Sequence, residues 1–67
     1  MHESIFTAYI LSDKDGLFLA NDNFEFTLFK SEARFFKSPD RRAKFLKNKF
    51  GYKMHKVRVM PNSVTFI

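Results

Sequence analysis

The chain has no cysteine, no tryptophan, two glycines and two prolines in 67 residues. Without cysteine there are no disulfides, on which small secreted folds normally lean, and no zinc site built on thiolates. That absence points to the cytoplasm. With only Gly16 and Gly51 there is no glycine-rich loop to cradle a phosphate. Every apolar stretch is interrupted within a few residues, far short of the roughly 20 needed to span a bilayer. The opening MHESIF lacks the basic start and apolar middle of a signal peptide, and His2 stands where myristoylation requires glycine. No membrane association is expected.

What the chain does have is rings: ten Phe and two Tyr. A chain this short buries only about 60% of the surface its unfolded form exposes. Each Phe contributes roughly 150–250 Å² to a core, so rings nucleate where many aliphatic residues would otherwise be needed. One domain, residues 1–67, is the expected organisation.

The net charge of +5 is unevenly placed. Residues 1–29 hold one Lys against Glu3, Asp13, Asp15, Asp22 and Glu25, a net of −4. Residues 30–58 hold eleven Lys or Arg against Glu32 and Asp40, a net of +9, and residues 59–67 carry no charge. Such polarity attracts a polyanion or an acidic partner.

Periodicity orders the elements. Residues 4–12 are β-branched and aromatic, with Ile5, Thr7, Tyr9 and Leu11 on one face and Phe6, Ala8 and Ile10 on the other. Two apolar faces suit a central strand. Asp15-Gly16 signals a hairpin turn, and 17–20 returns as a strand. Residues 21–23 form a second turn or bulge, and 24–29 alternates as a third strand. Residues 31–36 have the character of one or two helical turns. Ser38, Pro39 and Asp40 predict a helix start, with Ser38 as N-cap and Pro39 at the first helical position. The helix runs to Phe50, and Gly51 caps it. Residues 53–60 alternate again, with His55, Val57 and Val59 opposite Met54, Lys56, Arg58 and Met60. Pro61-Asn62 turns the chain into a short strand at 64–67. The expected fold is α+β: a small antiparallel sheet in the order β-β-β-α-β, with an extra C-terminal strand and one main helix packed on one face.

On the helix, Pro39, Ala43, Leu46 and Phe50 lie within about 60° of one another as a core stripe, and Phe45 projects roughly 130° from its centre. Phe45 therefore sits among Arg41, Arg42 and Lys49. A ring set among cations stacks a base or anchors a protein partner. The plainer expectation is that Phe45 packs on Phe35, which is off-stripe in the same way, as a satellite cluster.

Arg34, Lys37, Arg41, Arg42, Lys44, Lys47 and Lys49, joined by Lys53, Lys56 and Arg58, make a candidate phosphate-tracking patch. A solvated helix face is the ordinary reading of such a run, but a solubilising face usually mixes signs. Lys47 and Lys49 have no acidic neighbour three or four positions away to relieve their repulsion. No helix-turn-helix, zinc-finger, cold-shock or RRM motif accompanies the run.

His2 and His55 are too few for a metal site, and His55 reads as a strand residue at a sheet margin. No serine stands in a nucleophile elbow, and Asp13, Asp15 and Asp22 read as turn formers. Neither catalysis, nor a cofactor, nor a metal is expected.

Tyr9-Ile10, Asp15-Gly16-Leu17-Phe18-Leu19, Ala33-Arg34-Phe35-Phe36, Ser38-Pro39-Asp40, Ala43 and Val57-Arg58-Val59 together resemble a layout common in small bacteriophage proteins. The resemblance covers most of the chain. It implies an accessory protein acting in the host bacterial cytoplasm and carries no site residues. The expected function is non-enzymatic binding of RNA or DNA phosphates by the basic helix face. The rival is inhibition or modulation of a host protein with an acidic surface, through the same basic and aromatic surface. A homodimer through an exposed sheet edge is a third expectation.

Overall fold

The computed structural model describes residues 5–67. Its sheet has five antiparallel strands in the order β3-β2-β1-β4-β5. They are β1 Phe6–Ser12, β2 Phe18–Leu19, β3 Phe26–Thr27, β4 Lys53–Met60 and β5 Ser63–Phe66; a single helix, α1, spans Arg41–Phe50. The expected α+β layout, including the additional C-terminal strand, is the one observed.

The two-sided apolar pattern of β1 puts it at the centre. It pairs with β4 along its whole length, from Phe6↔Val59 to Ser12↔Lys53. Alternation then sorts the side chains. Phe6, Ala8, Ile10 and Ser12 share one face with His55, Val57 and Val59. Thr7, Tyr9 and Leu11 share the other with Met54, Lys56 and Arg58.

Each face carries its own core. Against the helix lie Leu11, Leu19, Phe36, Ala43 and Leu46, with Tyr9, Phe26, Tyr52 and Met54 packed around them. On the opposite face lie Ala8, Ile10, Ala33, Val57 and Val64, flanked by Phe18, Phe35 and Val59. The second core is closed by a segment with little regular structure, running from a 3₁₀ turn at Lys30–Glu32 through Phe35. β1 and β2 are paired only at Ser12↔Phe18. Beyond that pair the segment lies between them: Arg34 N–H donates to the Leu19 carbonyl (2.8 Å), and Tyr9 and Phe36 exchange backbone bonds of 2.8 and 2.9 Å. Extended there, the segment sends Phe35 to one core and Phe36 to the other.

Several local expectations are corrected. The helix begins at Arg41 with Asp40 as N-cap, its carboxylate accepting from Ala43 N–H at 2.9 Å. Ser38 and Pro39 precede it, because the Asp40 carboxylate supplies an acceptor three residues before Ala43, at the cap-to-N3 spacing. The C-cap is as expected, with Gly51 in the left-handed region at φ 71°. The second and third strands shrink to two residues each. Side chains compete for their backbone: Asp13 Oδ1 accepts from Asp15 and Leu17 N–H, and Asn21 Oδ1 accepts from Asn23 and Glu25 N–H. The Asn21 turn also holds Phe24 at φ 59°, a conformation that costs a non-glycine residue roughly 1–2 kcal/mol.

The cap assignment is testable by urea denaturation. Asp40→Ala should lower stability by about 1 kcal/mol, as loss of a helix cap does, whereas Ser38→Ala should leave the midpoint where it is.

Candidate anion-binding surface

Helix α1 buries only Ala43 and Leu46, and its other eight residues are exposed. On that outer surface stand Arg41, Arg42, Lys44, Phe45, Lys47 and Lys49, all exposed. Phe45 is 52% exposed. With Arg41 and Arg42 it lines an open groove of about 420 Å³. The Lys49 ammonium lies 5.4 Å from the Phe45 ring centroid and 5.8 Å from that of Phe50, within cation–π range. The expected packing of Phe45 on Phe35 does not occur. Phe35 belongs to the core on the far face of the sheet and meets Phe6 edge-on at 6.3 Å.

The remaining cations divide. Arg34 and Arg42 both reach the Asp22 carboxylate, at 2.8 and 3.4 Å. Arg34 also lies over the Phe36 ring at 5.1 Å. Arg34 is thus tied into the fold, and Asp22 serves as a shared counterion as well as a turn residue. Lys37 is exposed just before the helix. Lys56 and Arg58 are exposed on the helix side of the sheet, and the strand register carries Lys53 to the opposite face, away from the other cations. Arg41, Lys44, Lys47 and Lys49 make no ion pair among the described residues.

Sequence reasoning missed an aromatic group at the helix C-terminus. Phe50, expected in the core stripe, is exposed. It meets Phe24 edge-on at 5.2 Å and stacks on Tyr52 at 5.4 Å, while Tyr52 meets Phe26 at 5.9 Å. Its partners come from turns and strands far apart in the chain, and no local period announces them. With Asp13, Lys14, Asp15 and Gly51, three of these rings line a second open groove of about 430 Å³.

On the other face, His55 Nε2 lies 2.7 Å from Ser12 Oγ, and its ring sits 5.2 Å from that of Phe66 and 6.4 Å from that of Phe18. Burial pushes its pKa below the ordinary 6.5, and the Lys53 ammonium pushes in the same direction. Among the described residues no group of three or more potential ligands is placed to hold a metal ion, and no helix is long and apolar enough to cross a membrane.

No protein-family model, curated protein or solved structure matches this chain.

The His55 shift has a definite sign. Below its ordinary pKa the unfolded chain binds the proton more tightly than the native one, so stability falls as pH drops below 6.5. Thermal melts between pH 7 and 5 (about the range of histidine titration) should show His55→Gln with a flatter pH dependence than the parent. Equal slopes would remove His55 from the pH response.

Proposed function

We propose that this protein is a non-enzymatic nucleic-acid-binding protein whose outer helix surface contacts phosphates while Phe45 stacks on a base. The observation that carries this reading is the exposed Phe45 ring between two arginines and under a lysine. Phosphate contacts need positive charge that is not already consumed, and Arg41, Lys44, Lys47 and Lys49 supply it. A ring exposed among them offers a π-face to any base, so affinity comes with little sequence selectivity. Lys37 extends the surface before the helix, and Lys56 and Arg58 extend it on the sheet. Arg42 contributes while also reaching Asp22, and Arg34 acts chiefly as a strut. The setting we propose, in keeping with the resemblance to small phage proteins, is the cytoplasm of an infected bacterium.

The test is binding to labelled single- and double-stranded RNA and DNA across a salt series. Affinity should weaken log-linearly with salt. Arg41, Lys44 and Lys47 changed together to Gln should reduce the single-strand slope by about two, at roughly 0.7 per contact. Phe45→Ala should weaken single-strand binding by about tenfold, the worth of one stacked base, and leave the slope unchanged. Absence of binding at low salt would refute the reading. Binding to an acidic protein that collapses with Phe45→Ala alone would assign the surface to a protein partner, where one buried ring dominates.

A further inference from the structure

The free edge of the sheet carries an inference independent of the basic helix. β5 is an outermost strand, and its inner hydrogen bonds fix which backbone groups are left over. Ile67 N–H donates to the Lys56 carbonyl at 3.0 Å, and the pairs Met60↔Ser63 and Arg58↔Thr65 continue the register. Ser63, Thr65 and Ile67 therefore direct their backbone groups at β4. Val64 and Phe66 direct theirs away from the sheet, and among the described residues these have no backbone partner. Native edges are normally blunted by a lysine, a proline or a bulge. Ser63–Phe66 has none of these, and residues 59–67 carry no charge.

Apolar surface accompanies the edge. Phe66 is 51% and Ile67 65% exposed, and the two residues that lead into the 3₁₀ turn packed on β5, Leu28 and Phe29, are exposed as well. At the area of large side chains the four offer roughly 450 Å² per copy. Buried in full with the edge backbones of two copies, this surface would reach about 1,000 Å², the lower bound for a specific interface.

We propose that a second copy of this chain pairs with β5 across a two-fold axis through Thr65, extending the sheet from five strands to ten. The strand complements itself about that axis. Val64 and the second copy's Phe66 exchange two backbone hydrogen bonds, and the symmetric pair exchanges two more. Their side chains meet on one face as an aromatic–β-branched pair, and Thr65 meets its own copy on the other; both are favourable cross-strand pairs. On the Thr65 face the cations Arg58 and its copy stand three strand spacings apart, about 14 Å, beyond the screening length of about 8 Å at physiological salt; on the other face the Lys30 ammonium lies 4.5 Å from the Phe66 ring centroid, its charge resting on a ring of the same copy. A two-fold axis normal to the sheet preserves its faces, so both α1 helices lie on the same side.

Sedimentation velocity of the full chain without nucleic acid, from micromolar to near-millimolar, reads this separately from phosphate binding. The sedimentation coefficient should rise to that of a dimer. Thr65→Lys places two ammoniums opposite each other and should weaken dimerisation at least tenfold with an unchanged circular dichroism spectrum. Thr65→Cys tests the register without adding charge. Facing Cα atoms in this type of pair are about 4.5 Å apart, within disulfide range, so mild oxidation should cross-link it. Ser63→Cys, about 13 Å from its copy along the strand, should stay monomeric on the same gel. A parent protein monomeric at every concentration, or Ser63→Cys cross-linking as readily as Thr65→Cys, would overturn the proposal.

Discussion

Strand β1 must be covered on both faces and along both edges, and the described residues hold a single α-helix with which to do it. β4 satisfies one edge completely, because its eight residues outlast the seven of β1. β2 is too short for the other edge. The answer is the segment around Arg34–Phe36, which completes the β1 edge through Tyr9 and Phe36, ties into β2 through Leu19, and drops one phenylalanine on each face. A buried N–H or C=O left unpaired costs about 1–3 kcal/mol, so Tyr9 and Phe36 each resolve two such costs at once. The rest of the fold hangs on this insertion. It lets ten residues of helix suffice for one face, and it brings the Lys30–Glu32 turn against β5, with Lys30 over the Phe66 ring.

The elements with strong periodic patterns were legible in the sequence. β4 is found over the residues its alternation predicts, β1 is central as its two apolar faces require, and Gly51 ends the helix in the left-handed conformation. What was not legible depended on competition between side chain and backbone. A period-two pattern at Phe24–Phe29 promised a strand, but Asn21 captured the backbone at Asn23 and Glu25 and turned Phe24 out of the extended region. Residues 31–36 looked helical, yet Phe36 went to β1 because the edge there would otherwise be open. The site was legible at the level of the helix wheel: Phe45 stands among Arg41, Arg42 and Lys49 as its angle implied. Its separation from Phe35 was not, since nothing local says that residues ten apart will lie on opposite faces of a sheet. Nor could composition show that Asp22 would draw on both Arg34 and Arg42.

The charge asymmetry of the sequence takes a particular form in space. The acidic N-terminal part does not cover the outer helix surface among the described residues: Asp13 and Asp15 sit in the turn beside Gly51, Glu25 is engaged by Asn21, and Glu32 accepts from Thr27. Only Asp22 reaches the cations, and it reaches two that also brace the fold. Surface pairs of this kind contribute about 0–1 kcal/mol each, so the arrangement matters less for stability than for what it leaves open. Arg41, Lys44, Lys47 and Lys49 keep a field that no ion pair among the described residues answers.

Under the proposed pairing, that field and the uncharged edge would act on each other. The pairing proposed at β5 would set two positive helices on one side of a continuous sheet, with Lys56 and Arg58 of each copy between them. Free of ligand, the two copies repel, and the repulsion grows as salt is lowered and the screening length lengthens. A polyanion lying across that side neutralises both copies together, so its binding favours assembly, and by linkage assembly raises its affinity by the same factor. The second helix then binds at an effective concentration fixed by the dimer rather than by diffusion. A short uncharged strand with weak pairing of its own is suited to this role, because an edge that associated strongly without ligand would leave the anion nothing to add.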